Sequence, residues 1–290
     1  MTDSVNSNSD NENKIPVNIG PYVIKKKIRE GGYSVVSLAT SKISGDEVAV
    51  KSINKNSLHA NIFDLSLVHN EVEILKILKH KNILSLYQLF ESPKYIHIVT
   101  EVLNGKDLFE QIISKKEFEE GEAKELFFQI IDAMIYMHSM FICHRDIKSE
   151  NILFDKNNPK IIDFGFATFY KKGKKLKEAF GSPSYACPEM QKGSEYDPEK
   201  ADVWSCGVLL YVMVNGYLPF SEEDDEKNKE LIIKGDFYMP KELSAPLKDL
   251  LKHMLEPNED NRFDFGKIGN HEWFKGCPVM TGGLNIFDLI

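Results

Sequence analysis

The interval HRDIKSENILFDKNNPKIIDFG, from His144 to Gly165, packs Arg145, Asp146, Lys148, Glu150, Asn151 and Asp163 between apolar segments. Two short apolar runs, ILF and KII, flank the turn-forming DKNNP and read as a hairpin. Antiparallel pairing joins a hairpin's outer ends, which makes Asn151 and Asp163 neighbours. Two side-chain oxygens meeting at one point suit Mg²⁺, which takes few protein ligands and completes its shell with water and phosphate oxygens. Asp146 lies just upstream, placed to act as a base or an orienter. Lys148, two residues on, falls on the same side and can neutralise a transferring phosphoryl group. The plain alternative is a solvated charged loop, and the spacing together with the triplet Asp163-Phe164-Gly165 weighs against it.

Further upstream, two charges point where apolar groups belong. In SLVHNEVEILKILKH, Val68, Glu71, Leu75 and Leu78 share one helical face, so Glu71 must meet a cation or become neutral. In the strand-like VAVKSI, Lys51 shares a face with Ala49 and Ile53. The economical reading pairs Lys51 with Glu71, and a purely structural ion pair is the alternative. The stretch REGGYSVV, Arg29 to Val36, stands between the apolar runs YVIKKKI and VSLAT, so Gly31 and Gly32 turn one strand into the next. Such a turn either brings bare amides to a phosphate or is only a hairpin.

The elements that must position these groups fall into two kinds. From Tyr22 to Thr100 short alternating runs dominate, at YVIKKKI, VVSLAT, EVAVKSI, LYQLF and IHIVT, with the Glu71 helix between them. From Leu108 onward the patterns are helical, including AKELFFQIIDAMIYMHSM and the apolar run VWSCGVLLYVMV, which reads as a buried helix closed by Gly216. Asn104 and Gly105 interrupt the pattern at the join and read as a hinge.

Bulk composition narrows the function classes. The chain has 290 residues and a formal net charge of −8, which argues against a nucleic-acid or anionic-membrane binder and suits a basic partner. The opening MTDSVNSNSDNENK carries no secretory pattern, Thr2 excludes a myristoylated glycine, and no apolar run reaches the roughly 20 residues of a membrane span. The four cysteines show no CxxC pairing, so reduced, structural thiols in an intracellular, cytoplasmic protein are expected, with the nucleus also open.

With VAVK at Lys51, Glu71 in the next helix, HRDIKSEN, DFG at Asp163, CPE at Cys187, DVWSCG from Asp202, NRFD at Asn261 and HEWF at His271, the chain resembles the eukaryotic protein kinases from Tyr22 to Phe274. The resemblance implies an α+β, two-lobed fold. A small antiparallel-sheet lobe with one main helix would span residues 20–102 and a larger helical lobe 103–275, flanked by a disordered polar tail 1–19 and a short tail 276–290.

It implies ATP and Mg²⁺ as cofactors, with Lys51 on the α and β phosphates, Glu71 fixing Lys51, and Asn151 and Asp163 on the metal. Asp146 would accept or orient the substrate hydroxyl proton, and Lys148 would stabilise the γ phosphate. The adenine would sit between Val36 and Ala49 on one side and Leu153 on the other, bonded to backbone at Glu101 and Leu103. Thr100 takes the gatekeeper position, and Ile28, Gly31 and Gly32 complete the nucleotide set. Glu189 would pair structurally with Arg262.

Lysine two residues after Asp146 resembles the serine/threonine enzymes, and Ser182 of GSPSY holds the matching hydroxyl position. The segments EVEILKILKHKNIL, LKEAFGSPSYACPEM and GYLPF are similar to the calcium/calmodulin-dependent and AMP-activated branch. Asp107 and Glu150 match positions that read basic residues upstream of the target, so basic-directed protein substrates are expected. Phe166, directly after DFG, resembles members that favour serine.

Three departures stand out. Aligned on GxGxxG, the chain has Arg29, Gly31 and Ser34, so one glycine of three is retained and weakened nucleotide binding is expected. Glu178 replaces a phosphorylatable residue whose phosphate would pair with Arg145, and a built-in carboxylate predicts activity without an upstream kinase. Ser149 and Cys187 replace proline and alanine, both small changes. No calmodulin-binding basic helix is visible, a monomer is expected, and the apolar end from Leu284 to Ile290 would dock on the large lobe or on a partner. The rival reading is a pseudokinase or scaffold that binds nucleotide without transfer; the complete set Lys51, Glu71, Asp146, Lys148, Asn151 and Asp163 weighs against it.

Overall fold

The computed structural model of the chain describes residues 17–31, 34–58 and 62–281. The polar tail to residue 16, Gly32 of the glycine turn, and the apolar end from Leu284 to Ile290 therefore lie outside the described residues. The chain divides into two compact units, one running to Leu65 and resuming over Leu86–Val102, the other taking Ser66–Ser85 and everything from Leu103.

The first unit is a six-stranded antiparallel sheet. Its strands are β1 (Asn18–Ile19), β2 (Tyr22–Glu30), β3 (Ser34–Ser41), β4 (Glu47–Asn54), β5 (Leu86–Glu91) and β6 (Tyr95–Glu101), in the order β1-β2-β3-β4-β6-β5. A short helix, α1 (Lys55–Leu58), follows β4. All five alternating runs of the sequence form strands, because period-two patterning gives the sheet two different faces. One face buries Ala39, Val48, Val50 and Val99 with Ile19 and Tyr22 in a core that Ile24 and Phe90 extend. On the other face the register places Val36, Lys51 and Ile98 in one row and Leu38, Ala49 and Thr100 in the next.

The second unit is mainly helical. The helix α2 (Ile62–Ile77) lies in sequence among the strands, yet from Ser66 it groups with this unit. Hydrogen bonds from the helix and from the segment that follows it give the reason. Asn70 Nδ2 donates to Thr168 Oγ1 at 3.2 Å, Lys79 N to the Tyr136 hydroxyl at 3.0 Å, Asn82 Nδ2 to the Pro159 carbonyl at 2.7 Å, and Leu84 N to Ile161 O at 3.0 Å. The predicted apolar face is buried at Glu71, Leu75 and Leu78.

The remaining elements are α3 (Leu108–Lys115), α4 (Glu120–Ser139), β7 (Ile142–Cys143), β8 (Ile152–Asp155), β9 (Asn158–Ile161), β10 (Thr168–Phe169), α5 (Pro188–Gln191), α6 (Pro198–Asn215), α7 (Asp225–Lys234), α8 (Ala245–Met254) and α9 (Phe265–Gly269). Helix α4 buries Phe127, Ile130, Ile131, Met134 and Met137 at three-and-four spacing. Helix α6 starts where the Asp197 carboxylate accepts from the Glu199 and Lys200 amides, with Pro198 in the first turn, and stops at Gly216 in the left-handed conformation, φ 76°. Between those caps it is buried almost all round, so it forms the centre of the unit, with Trp204 stacked on Phe220 at 5.7 Å. No helix among the described residues is long and apolar enough to cross a membrane.

Gly105, expected at a hinge, is instead fixed within the second unit. Its amide donates to the Phe154 carbonyl at 3.0 Å, and a Cβ added there would collide with that same oxygen. Glycine is present because the backbone approaches so closely.

Candidate active site

The hairpin of β8 and β9 forms with the register Ile152–Ile161 to Asp155–Asn158. Its turn is tighter than DKNNP suggested. Asn158 and Pro159 belong to β9, leaving Lys156, at φ 57°, and Asn157 to reverse the chain. The outer ends meet as expected, with Ile162 N donating to the Asn151 carbonyl at 2.9 Å. Asp163 follows at φ 60°, a left-handed conformation that a residue with a side chain rarely adopts. Next to it Phe164 is fully buried, its ring edge-on to His144 at 5.1 Å.

Asn151 is buried and spends its amide nitrogen on Asp146, donating to the carbonyl at 2.8 Å and to Oδ2 at 2.9 Å. That leaves its oxygen available to a cation. With the Asp163 carboxylate on the neighbouring strand end, the donor set is hard oxygen, which fits Mg²⁺.

Asp146 itself is buried and its carboxylate is held from both sides. Oδ1 accepts from the Ser182 amide at 3.0 Å and the Ser182 hydroxyl at 3.2 Å; Oδ2 accepts from Asn151 and from the Lys148 ammonium at 2.9 Å. Lys148 also donates to Ser182 Oγ at 2.8 Å. Asp146, Lys148, Asn151 and Ser182, chosen from spacing and resemblance, thus form one hydrogen-bonded cluster. A carboxylate so tied has one orientation, the property a proton acceptor needs.

The loop that carries Asp146 hangs on a residue that sequence reasoning left without a role. Asp202, fully enclosed in the first half of α6, accepts from His138 Nε2 at 2.8 Å, His144 N at 2.8 Å and Arg145 N at 2.9 Å. Burial alone would raise its carboxyl, but the His138 contact and the main-chain donors outweigh burial and hold it below the usual aspartate range. The signal was present in DVWSCG, where a carboxylate stands inside an otherwise apolar helix.

Arg145 does not pair with Glu178. Its Nε donates to the Phe166 carbonyl at 2.6 Å and its guanidinium lies over the Phe180 ring at 4.3 Å, whereas the Glu178 carboxylate is exposed and in no ion pair among the described residues. Glu178 is attached through its backbone instead, its carbonyl accepting from the Tyr196 hydroxyl at 2.9 Å.

The remaining predicted residues are spread over the two units. In the first, Val36, Ala49, Lys51 and Thr100 share the sheet face opposite the core, with Glu101 ending β6. Ile28 is exposed in β2. Arg29 pairs with Val36 just past a register shift in β2 and without a positive φ, so it needs none of the special backbone freedom its alignment with a glycine suggested. Gly31 N donates to Ser34 O at 2.8 Å, so its amide closes the β2–β3 turn and is spent on the hairpin.

In the second unit Leu103 is half-buried, Leu153 pairs with Lys160, and Glu71 is buried. Asp107 has a second duty that composition did not suggest, capping α3 by accepting from Glu110 N at 2.7 Å. Glu150 is oriented by Ser149, whose hydroxyl donates to Oε2 at 2.9 Å.

The family model for the protein kinase domain matches residues 22–274. The chain is 38% identical over 266 residues to serine/threonine-protein kinase SIK2 of Gallus gallus, covering 91% of this chain and 33% of that protein. It is 36% identical over 266 residues to serine/threonine-protein kinase SIK1 of Mus musculus, covering 91% of this chain and 34% of that one. The chain therefore spans about a third of the length of these curated relatives.

Proposed function

The chain belongs to the protein kinase family, and from that premise we propose that it transfers the γ-phosphoryl group of ATP to serine and threonine hydroxyls of proteins. The observation that carries this reading is the Asp146 carboxylate held jointly by Asn151, Lys148 and Ser182. Mg²⁺-bound ATP supplies the phosphoryl group and neutralises its charge. Asp146 orients the incoming hydroxyl and takes its proton. Lys148 holds positive charge beside that proton acceptor, and Asn151 and Asp163 offer oxygens to the metal. Lys51, Ala49, Val36, Thr100 and Glu101 of the first sheet serve the nucleotide.

Substrates are basic-directed, read by Glu150 and by the part of Asp107 not used in capping, in keeping with the net charge of −8. Activity requires no phosphorylation at position 178, which carries a carboxylate and has no hydroxyl to modify. The protein acts as a monomer inside the cell.

The pseudokinase reading draws support from one observation, the Gly31 amide spent on Ser34. One experiment separates the two. Phosphatase-treated protein is incubated with Mg²⁺, labelled ATP and a basic serine peptide beside Asp146→Asn. Transfer lost in the variant supports the enzyme, whereas nucleotide binding without transfer in the parent supports the scaffold.

A further inference from the structure

The segment Leu176–Ser182 is tied to the rest of its unit at Leu176, Glu178, Phe180 and Ser182. Leu176 exchanges main-chain hydrogen bonds with Tyr196, at 2.9 and 2.8 Å. The Glu178 carbonyl accepts from the Tyr196 hydroxyl. The Phe180 ring covers Arg145 at 4.3 Å and stacks on Phe166 at 5.1 Å with an interplanar angle of 20°. Ser182 meets Asp146 through both its amide and its hydroxyl. Leu176 and Glu178 are thus attached through their main chain, Phe180 through its ring and Ser182 through both.

Arg145 is the electrostatic problem in this arrangement. It is a permanent cation, 7% exposed, in left-handed backbone at φ 66° directly before Asp146. A buried guanidinium must be compensated. Its amide goes to Asp202 and its Nε to the Phe166 carbonyl, while the aromatic face of Phe180 receives its positive charge. The Glu178 carboxylate, which has the complementary charge, stays in solvent. Directly after Phe180, Gly181 at φ 88° lies so close to the Arg145 carbonyl that an added Cβ would collide with it. Wherever Phe180 sits, Gly181 and Ser182 must follow, and Ser182 holds the Asp146 carboxylate.

We infer that Phe180 is the positioning residue for phosphoryl transfer: its ring, clamped between Phe166 and the Arg145 guanidinium, orders the segment and seats Ser182 on Asp146 without a phosphate. The inference rests on the kinase reading above and names the device that makes segment phosphorylation unnecessary. A ring is needed for this, since an aliphatic side chain of similar size fills the space but offers no π-face to the cation.

The test compares phosphatase-treated parent with Phe180→Leu, Phe180→Tyr and Glu178→Ala. Each is assayed for kcat, peptide KM and nucleotide KM with Mg²⁺-ATP and a serine peptide, for thermal melting, and for amide hydrogen exchange in the peptide containing Gly181 and Ser182. Phe180→Leu is expected to lower kcat on the order of tenfold and to speed exchange at Ser182, with nucleotide KM and melting close to the parent. Phe180→Tyr, which keeps the π-face, restores both to within about twofold of the parent. Glu178→Ala behaves as the parent.

Parental kcat and exchange in Phe180→Leu would overturn the inference, and so would loss of protection in Glu178→Ala with none in Phe180→Leu. If the parent transfers no phosphate, the kinase reading fails by itself, and the exchange comparison still decides whether Phe180 orders the segment.

Discussion

Arg262 donates Nη2 to both carboxylate oxygens of Glu189, at 2.9 and 3.0 Å, across 73 positions of sequence and with its own side chain fully buried. The same guanidinium sends Nε to the Glu256 carbonyl at 2.8 Å and Nη1 to the Lys200 carbonyl at 3.0 Å, so all three nitrogens are satisfied. The pair was expected from CPE and NRFD, and the geometry assigns it to stability. Removing one partner leaves the other buried and uncompensated, which typically costs about 3–5 kcal/mol. Glu189→Gln should therefore lower the melting temperature on the order of 10 °C. Glu189→Met combined with Arg262→Met should cost less than the two single changes added, which thermal or denaturant unfolding of the cycle measures. Additive costs would show that the two side chains are not energetically coupled.

Asp202 predicts an acid limit. Its folded-state pKa is depressed, so it stabilises the fold fully above the free aspartate value of about 3.9, and that stability is lost as pH falls below it. The groups facing it are His138 and the His144 and Arg145 amides, with Cys143 close by. Asp202→Asn should be several kcal/mol less stable at pH 7, since an amide cannot accept all three donors as a carboxylate does. Melting temperature followed from pH 6 to pH 3 should fall less steeply in the variant. Parallel acid slopes would show that Asp202 carries none of the dependence.

The strands of the first unit were legible because period-two alternation has one physical cause, a sheet with two unlike faces. The hairpin that joins Asn151 to Asp163 was legible for a similar reason, as two short runs and a turn leave few ways to pair. The grouping of α2 was not, since a helix's own pattern shows which face is apolar but not which unit covers it. Asn70, Lys79, Asn82 and Leu84 decide that through partners far along the chain. The partner of Arg145 was misread for a related reason. Charge complementarity pointed to Glu178, but Glu178 is attached through its carbonyl with its carboxylate in solvent, and the ring of Phe180 covers the guanidinium instead.

Ser149 replaces the proline expected after Lys148, and it does more than fill space. It is buried, donates to Glu150 Oε2 at 2.9 Å and lies 3.3 Å from the Tyr185 hydroxyl. A hydroxyl that fixes a carboxylate lowers the ordering cost when that carboxylate meets a guanidinium. Ser149→Ala should raise KM for a peptide with upstream arginine by about threefold while leaving kcat unchanged. A peptide without upstream arginine should respond far less. Equal effects on the two peptides would separate Ser149 from substrate reading.

Gly181 offers a direct test of how the segment seats on the catalytic loop. At φ 88° an alanine would be strained by roughly 1–2 kcal/mol wherever it stood, and here its Cβ would also strike the Arg145 carbonyl. Gly173, three residues before the segment, provides the control, because it has φ 74° and nothing within 4 Å of an added Cβ. Both substitutions should cost similar backbone strain, but only Gly181→Ala should push Ser182 away from Asp146. The expected outcome is a fall in kcat on the order of tenfold or more for Gly181→Ala, with Gly173→Ala near the parent and both melting within a few degrees of it. Peptide kinetics and thermal melting of the two variants decide the matter. Matching activities would mean that the approach of Gly181 to Arg145 does not hold the Asp146 carboxylate in place.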